Sequence, residues 1–143
     1  MELLVKLLTT IILIFSLSGC ATISNFYDSY FMAPYDTNEH FLVNKIKFYS
    51  EFSKRNCANH EAAKTSAIHL FSLSSQLKSF SRNLPNNSST VKMTDSLFVL
   101  VDDLYKRYDT AKEVNKTYCE LKLQSISDSA NTIQKVIVKR PRS

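Results

Sequence analysis

Apolar and polar positions along this chain alternate mostly with the period of a helix. Leu70, Leu73, Leu77, Phe80 and Leu84 recur at alternating steps of three and four residues, which lines them up on one helical face. Leu97, Val101, Leu104, Tyr108 and Ala111 repeat the rule further on. Upstream, Phe41, Leu42, Val43, Ile46, Phe48, Tyr49 and Phe52 form a broad stripe rather than a narrow seam. That stripe follows Asp36-Thr37-Asn38-Glu39, a capping-box arrangement with Asp in place of Ser or Thr, so a helix starts there.

Breaks in the pattern divide the chain into three segments. The polar patch from Lys54 to His60 is the expected bend, with Asn59 placed to cap a new helix. Asn83-Leu84-Pro85-Asn86-Asn87-Ser88-Ser89 is the strong turn, because proline stops a helix while Asn and Ser offer side-chain caps. A third segment runs from about Thr90 to Val136, its seam shifting through Val114, Tyr118, Leu121, Ile126, Ala130, Ile133 and Ile137. The expected fold is all-α, either an antiparallel hairpin of long helices or a three-helix bundle. The bundle is preferred, since a hairpin would leave the stripe from Phe41 to Phe52 wet unless the chain self-associates.

Composition narrows the picture. The chain has 143 residues and one glycine, Gly19, so there is no glycine-rich phosphate loop and no nucleophile elbow. Residues 45 to 92 carry eight basic and two acidic residues, whereas residues 95 to 128 carry five basic and seven acidic ones. Segments of opposite sign are expected to face each other, which selects register more than it stabilises.

The first twenty residues read as an address. Leu7 to Leu17 is an apolar run of eleven residues, whereas a membrane-spanning helix needs about 20 and a signal-peptide core roughly 7 to 15. It ends in Leu17-Ser18-Gly19-Cys20-Ala21. Small residues before a thiol resemble the lipobox of bacterial lipoproteins, and all four positions of that pattern fit. The resemblance implies that residues 1–19 are a signal peptide, that Cys20 carries lipid and begins the mature chain, and that the chain meets the membrane through this anchor. Ala21 rather than Asp after the cysteine implies the outer membrane, with the chain facing either the periplasm or the exterior. Residues 20–35, rich in Phe and Tyr, then form an aromatic tether, residues 36–138 the helical domain, and residues 139–143 a basic tail.

Export implied by that resemblance puts Cys57 and Cys119 in an oxidising space, where a disulfide is the simplest reading. Zinc is the competitor, since Cys57-Ala58-Asn59-His60 has C-x-x-H spacing, but a second ligand pair is missing; free or intermolecular thiols remain open. The midpoint of the two cysteines is residue 88, inside the expected turn, and residues equidistant from a helical turn face each other.

No catalytic constellation emerges, and neither a metal nor a cofactor is expected. His40, His60 and His69 belong to no recognisable ligand motif, and the adjacent Asp102 and Asp103 point about 100° apart on a helix. Lys135 to Ser143 holds four basic residues, but an exported chain meets anionic lipid and cell wall rather than nucleic acid. The expectation is a non-enzymatic module that binds or blocks an unknown envelope protein, as pilotin-like helpers and exclusion lipoproteins do. The alternative is a structural lipoprotein, a homo-oligomer built through its aromatic stripe or a cell-wall contact made by its basic tail.

Overall fold

The computed structural model describes residues 32–142; the expected signal peptide, Cys20 and most of the expected tether lie outside the described residues. Among the described residues there are four α-helices: α1 (Thr37–Ser53), α2 (His60–Asn83), α3 (Ser88–Thr110) and α4 (Lys116–Ile137). A short 3-10 segment, Lys54–Ala58, joins α1 to α2. Among the described residues there is no strand.

Local chemistry explains each boundary. The Asp36 carboxylate accepts from the backbone N–H groups of Asn38 and Glu39, at 2.8 and 2.9 Å, and starts α1. The Asn59 side chain accepts from Ala62 N at 3.0 Å and starts α2 after the expected bend. Leu84 is extended ahead of Pro85, and Asn86 takes a positive φ of 56°, a conformation asparagine tolerates better than most residues. These are the breaks the sequence pattern foretold.

One break was not expected. The third segment, read as continuous from 90 to 136, is two helices separated by residues 111–115. The Asn115 carboxamide accepts from Thr117 N and Tyr118 N, at 2.8 and 3.4 Å, and restarts the helix as α4. The shift of seam near Val114 was the trace of this interruption. A straight helix would have carried Ile126, Ala130, Ile133 and Ile137 about 30 Å or more past Leu104 along its axis, whereas the break folds α4 back so that all four are buried. Neither the two-helix hairpin nor the three-helix count therefore describes the chain.

Helix α2 packs on α3 and α1 on α4, with α1 against α2 and α3 against α4 closing the circuit. Short links make sequence neighbours antiparallel. Val43 and Ile46 of α1, Leu70 and Leu77 of α2, Leu97, Val101 and Leu104 of α3, and Leu123, Ile126 and Ile133 of α4 fill the interior. Opposite charges meet where the sequence placed them: Lys64 with Asp109 at 3.8 Å, and Arg82 with Asp95 at 3.0 Å, tie α2 to α3.

The two ends of the bundle are closed by different means. At one end Cys57, in the 3-10 segment, and Cys119, in α4, are joined as a disulfide with Cα atoms 5.7 Å apart. Cys119 lies beyond the break at 111–115, so the half-bridge belongs to a different helix from the one that pairs with α2. Equidistance from the turn brought both cysteines to one end rather than face to face on a hairpin.

At the other end sits an ion pair with almost no exposure. Arg140 donates to Glu39 at 2.6 Å, to Asn87 Oδ1 at 2.5 Å and to the Thr90 hydroxyl. Glu39 also accepts from Ser81 Oγ at 2.6 Å and from Asn87 Nδ2 at 2.9 Å. Glu39, drawn in the sequence as half of a capping box, thus turns into the core. Arg140, assigned to a basic tail, is 4% exposed and belongs to the bundle. Backbone bonds from Tyr35 N to Pro141 O, 2.9 Å, and from Ala33 N to Asn86 O, 3.1 Å, hold the incoming and outgoing chain at this same end.

Candidate functional site

The Glu39–Arg140 end is hydrogen-bonded at every guanidinium nitrogen but the buried Arg140 Nε, and the chemistry open to a partner lies on the outside of the bundle. The outer side of α1 is the clearest case. At about 100° per residue, Phe48 lies roughly 160° round the helix from Ile46 and 140° from Val43, the two apolar residues α1 buries. Phe41, Phe48 and Phe52 therefore face away from the core and are 55%, 58% and 45% exposed. A helix apolar on both sides is normally covered on both sides. The broad stripe in the sequence is thus two faces, one buried and one not.

The exposed rings are arranged with cations. Lys45 Nζ stands 4.5 Å over the Phe41 ring and the Arg55 guanidinium 3.1 Å over Phe52, contacts that attract through the ring quadrupole. Phe48 stacks on Phe52 with centroids 5.8 Å apart. Phe41, Lys45, Phe48, Phe52 and Arg55 follow one another at steps of four, three, four and three. A groove of about 340 Å³ opens between α1 and α2 beside this row, lined by Tyr49, Phe52, Asn56, Ala62 and His69.

A second aromatic and basic surface lies on the α2–α3 side. Phe71 stacks on Tyr105 with centroids 4.7 Å apart, and Phe98 lies 5.5 Å from Phe71. Lys78 covers Phe98 at 4.1 Å. Ser75, Lys78, Ser79, Arg82 and Phe98 line a groove of about 410 Å³, a size in the range of binding clefts, though open rather than enclosed.

Residues singled out for chemistry do not converge. Each histidine packs on a tyrosine instead: His40 on Tyr35 at 5.7 Å, His60 on Tyr108 at 5.3 Å and His69 on Tyr49 at 4.4 Å. Asp102 pairs with Lys106 at 2.7 Å while Asp103 reaches Lys122 on α4. Among the described residues no group of three or more His, Cys, Asp and Glu is placed to hold a metal ion, and no helix is long and apolar enough to cross a membrane. Comparison with family models, with curated proteins and with solved structures finds no match in any of the three. The reading of function therefore rests on the chain itself.

Among the described residues the displaced acid–base groups lie on α3 and α4, one of them Lys106, raised by its bond to Asp102. A hydrogen bond from Lys122 holds the Asp103 carboxyl below its ordinary range, and the same bond raises the Lys122 ammonium. Burial pushes the Tyr118 hydroxyl up, with the Asp103 charge adding to it, and burial likewise raises Tyr108. Asp103 stabilises the fold above the normal carboxylate range, and this contribution fades as pH falls through its lowered value. Lys122 contributes below the normal lysine range and fades as pH rises through its raised value. The pair is solvent-screened, so Asp103→Asn should cost less than about 1 kcal/mol at neutral pH. It should cost nothing once acid has protonated the carboxylate, as denaturation at the two pH values would measure.

Proposed function

We propose that this chain is an outer-membrane-anchored helical lipoprotein that binds or blocks an envelope protein and catalyses no reaction. The observation that supports this most is aromatic rings paired with cations on the outside of a bundle whose inside is already complete. Monomeric soluble domains seldom leave such rows uncovered. A scaffold closed by a disulfide at one end and a buried ion pair at the other suits a module that presents a fixed surface. The finer arrangement is a tethered bundle: Cys20 anchors the chain and residues 20–35 lead to the ion-pair end. The groove carrying Lys78, Arg82 and Phe98 is the surface offered to the partner, an acidic segment with an apolar side chain.

Anchoring is tested first. Radiolabelled palmitate should mark the wild-type chain and leave the Cys20→Ser variant unlabelled, and the variant should leave the outer-membrane fraction. Three acyl chains at about 0.8 kcal/mol per buried CH₂ make that loss close to complete. Equal labelling or equal fractionation of the two chains would remove the anchor and the envelope role with it. Partner binding is then read by crosslinking in whole cells through a photoreactive residue at Phe98. A heterologous band of fixed size supports the proposal, and no heterologous band overturns it.

A further inference from the structure

The row of Phe41, Lys45, Phe48, Phe52 and Arg55 has an internal symmetry that says what covers it. Phe41 and Arg55 lie seven residues on either side of Phe48, while Lys45 lies three before it and Phe52 four after it. Read backwards and laid against itself, the row puts Arg55 on Phe41, Phe52 on Lys45 and Phe48 on Phe48. Every cation then meets a ring and no cation meets a cation.

We infer that the outer face of α1 docks antiparallel on the same face of a second copy, with the two Phe48 rings on the two-fold axis. A two-fold interface must be self-complementary, each contact occurring twice, and this row meets the condition. Lys45 and Arg55 already cover Phe41 and Phe52 of their own chain at 4.5 and 3.1 Å. In the dimer each inserts between that ring and one from the second copy. On the flank beside the row, Asn44 comes level with Glu51 of the second copy. A parallel pairing would set Lys45 against Lys45 and Arg55 against Arg55, and like charges directly opposed disfavour it.

The chain outside the described residues fits this geometry. Both anchors lead to the start of α1, and with Phe48 on the axis the starts of the two antiparallel copies are about 33 Å apart at 1.5 Å per residue. The twelve residues from Cys20 to Phe31 span up to about 40 Å, so both anchors reach one bilayer plane with the two-fold axis along its normal. Confinement to that plane raises effective concentration, so a single helix face suffices as the interface. The reach of the tether and this confinement both rest on the proposed anchoring; the pairing of α1 faces stands without them.

Benzoylphenylalanine placed at Phe48 in the full-length chain, irradiated in whole cells, tests the inference. The expected product is a single band of twice the monomer mass. With the photoreactive residue at position 41 instead, peptide mapping should place the crosslink near Arg55 of the second copy. Phe48→Lys, which sets two like charges on the axis, should reduce dimer crosslinked from position 52 by at least tenfold while leaving the melting curve unchanged. A heterologous protein band at position 48, a lipid adduct there, or a crosslink from position 41 to position 41 would overturn the antiparallel dimer. A heterologous band or a lipid adduct at this face leaves the proposed partner groove at Phe98 standing, so the two failures are told apart.

Discussion

Glu39→Ala should lower the stability of the fold by about 3 to 5 kcal/mol, because it leaves a buried guanidinium without its counterion. Arg140 keeps its bonds to Asn87 and Thr90 in that variant but loses the charge that neutralises it. Since small domains hold together by about 5 to 15 kcal/mol in total, this is a large share from a residue far from any surface contact. Denaturant midpoints at fixed pH measure it. The companion substitution decides the mechanism: joining Glu39→Leu to Arg140→Met removes both charges and should recover most of the loss, since an apolar pair of similar size can replace a buried ion pair. A double variant as unstable as Glu39→Ala would mean that shape, not charge, is what this end of the bundle needs.

Reducing the Cys57–Cys119 bond should remove about 4 kcal/mol, the chain-entropy value for closing a loop of this length; the two cysteines are 62 positions apart in sequence. Cys57 and Cys119 are 4% and 1% exposed, so alkylating reagents should label neither until the protein is both reduced and unfolded. The expected experiment is paired denaturation of the oxidised chain and of Cys57→Ser combined with Cys119→Ser, alongside intact mass under non-reducing conditions. Identical midpoints would show that the packing of α4 against the 3-10 segment already holds this end. A mass equal to that of the reduced chain would show that the bond does not form.

How far the sequence revealed this fold depended on how local each determinant was. The caps at Asp36 and Asn59 and the turn around Pro85 are decided within four or five residues and were legible. The inward stripes of α2 and α3 follow from a repeat that any window displays. The break before Asn115 was harder to read, because Lys112-Glu113-Val114 contains no proline or glycine and the only sign was a drift of the seam. The ion pair of Glu39 and Arg140 was illegible for a different reason. Its members are 101 residues apart, and each had a plausible local role, one in a cap and the other in a tail.

The candidate surfaces show the same division. Phe41, Phe48 and Phe52 were visible as apolar residues, but the stripe was read as a single face needing cover. Resolving it into two faces required knowing that Val43 and Ile46 are the apolar residues of α1 that are fully buried, which depends on where α2 and α4 sit. The groove at Lys78 and Phe98 was hidden because Phe98 falls next to the buried Leu97 and looks like core in a one-dimensional pattern. Disulfide pairing could be reasoned out because it needed only that both cysteines share an end.

The long reach from Glu39 to Arg140 also bears on the order in which the chain can assemble. Glu39, Ser81 and Asn87 are all made well before Arg140, and until it arrives the carboxylate has no counterion and no reason to leave water. Helices α1 to α3 can form and associate loosely in that interval, yet the polar end cannot seal. Closure waits on the residues just past α4, so this end of the bundle locks only once Arg140 is in place.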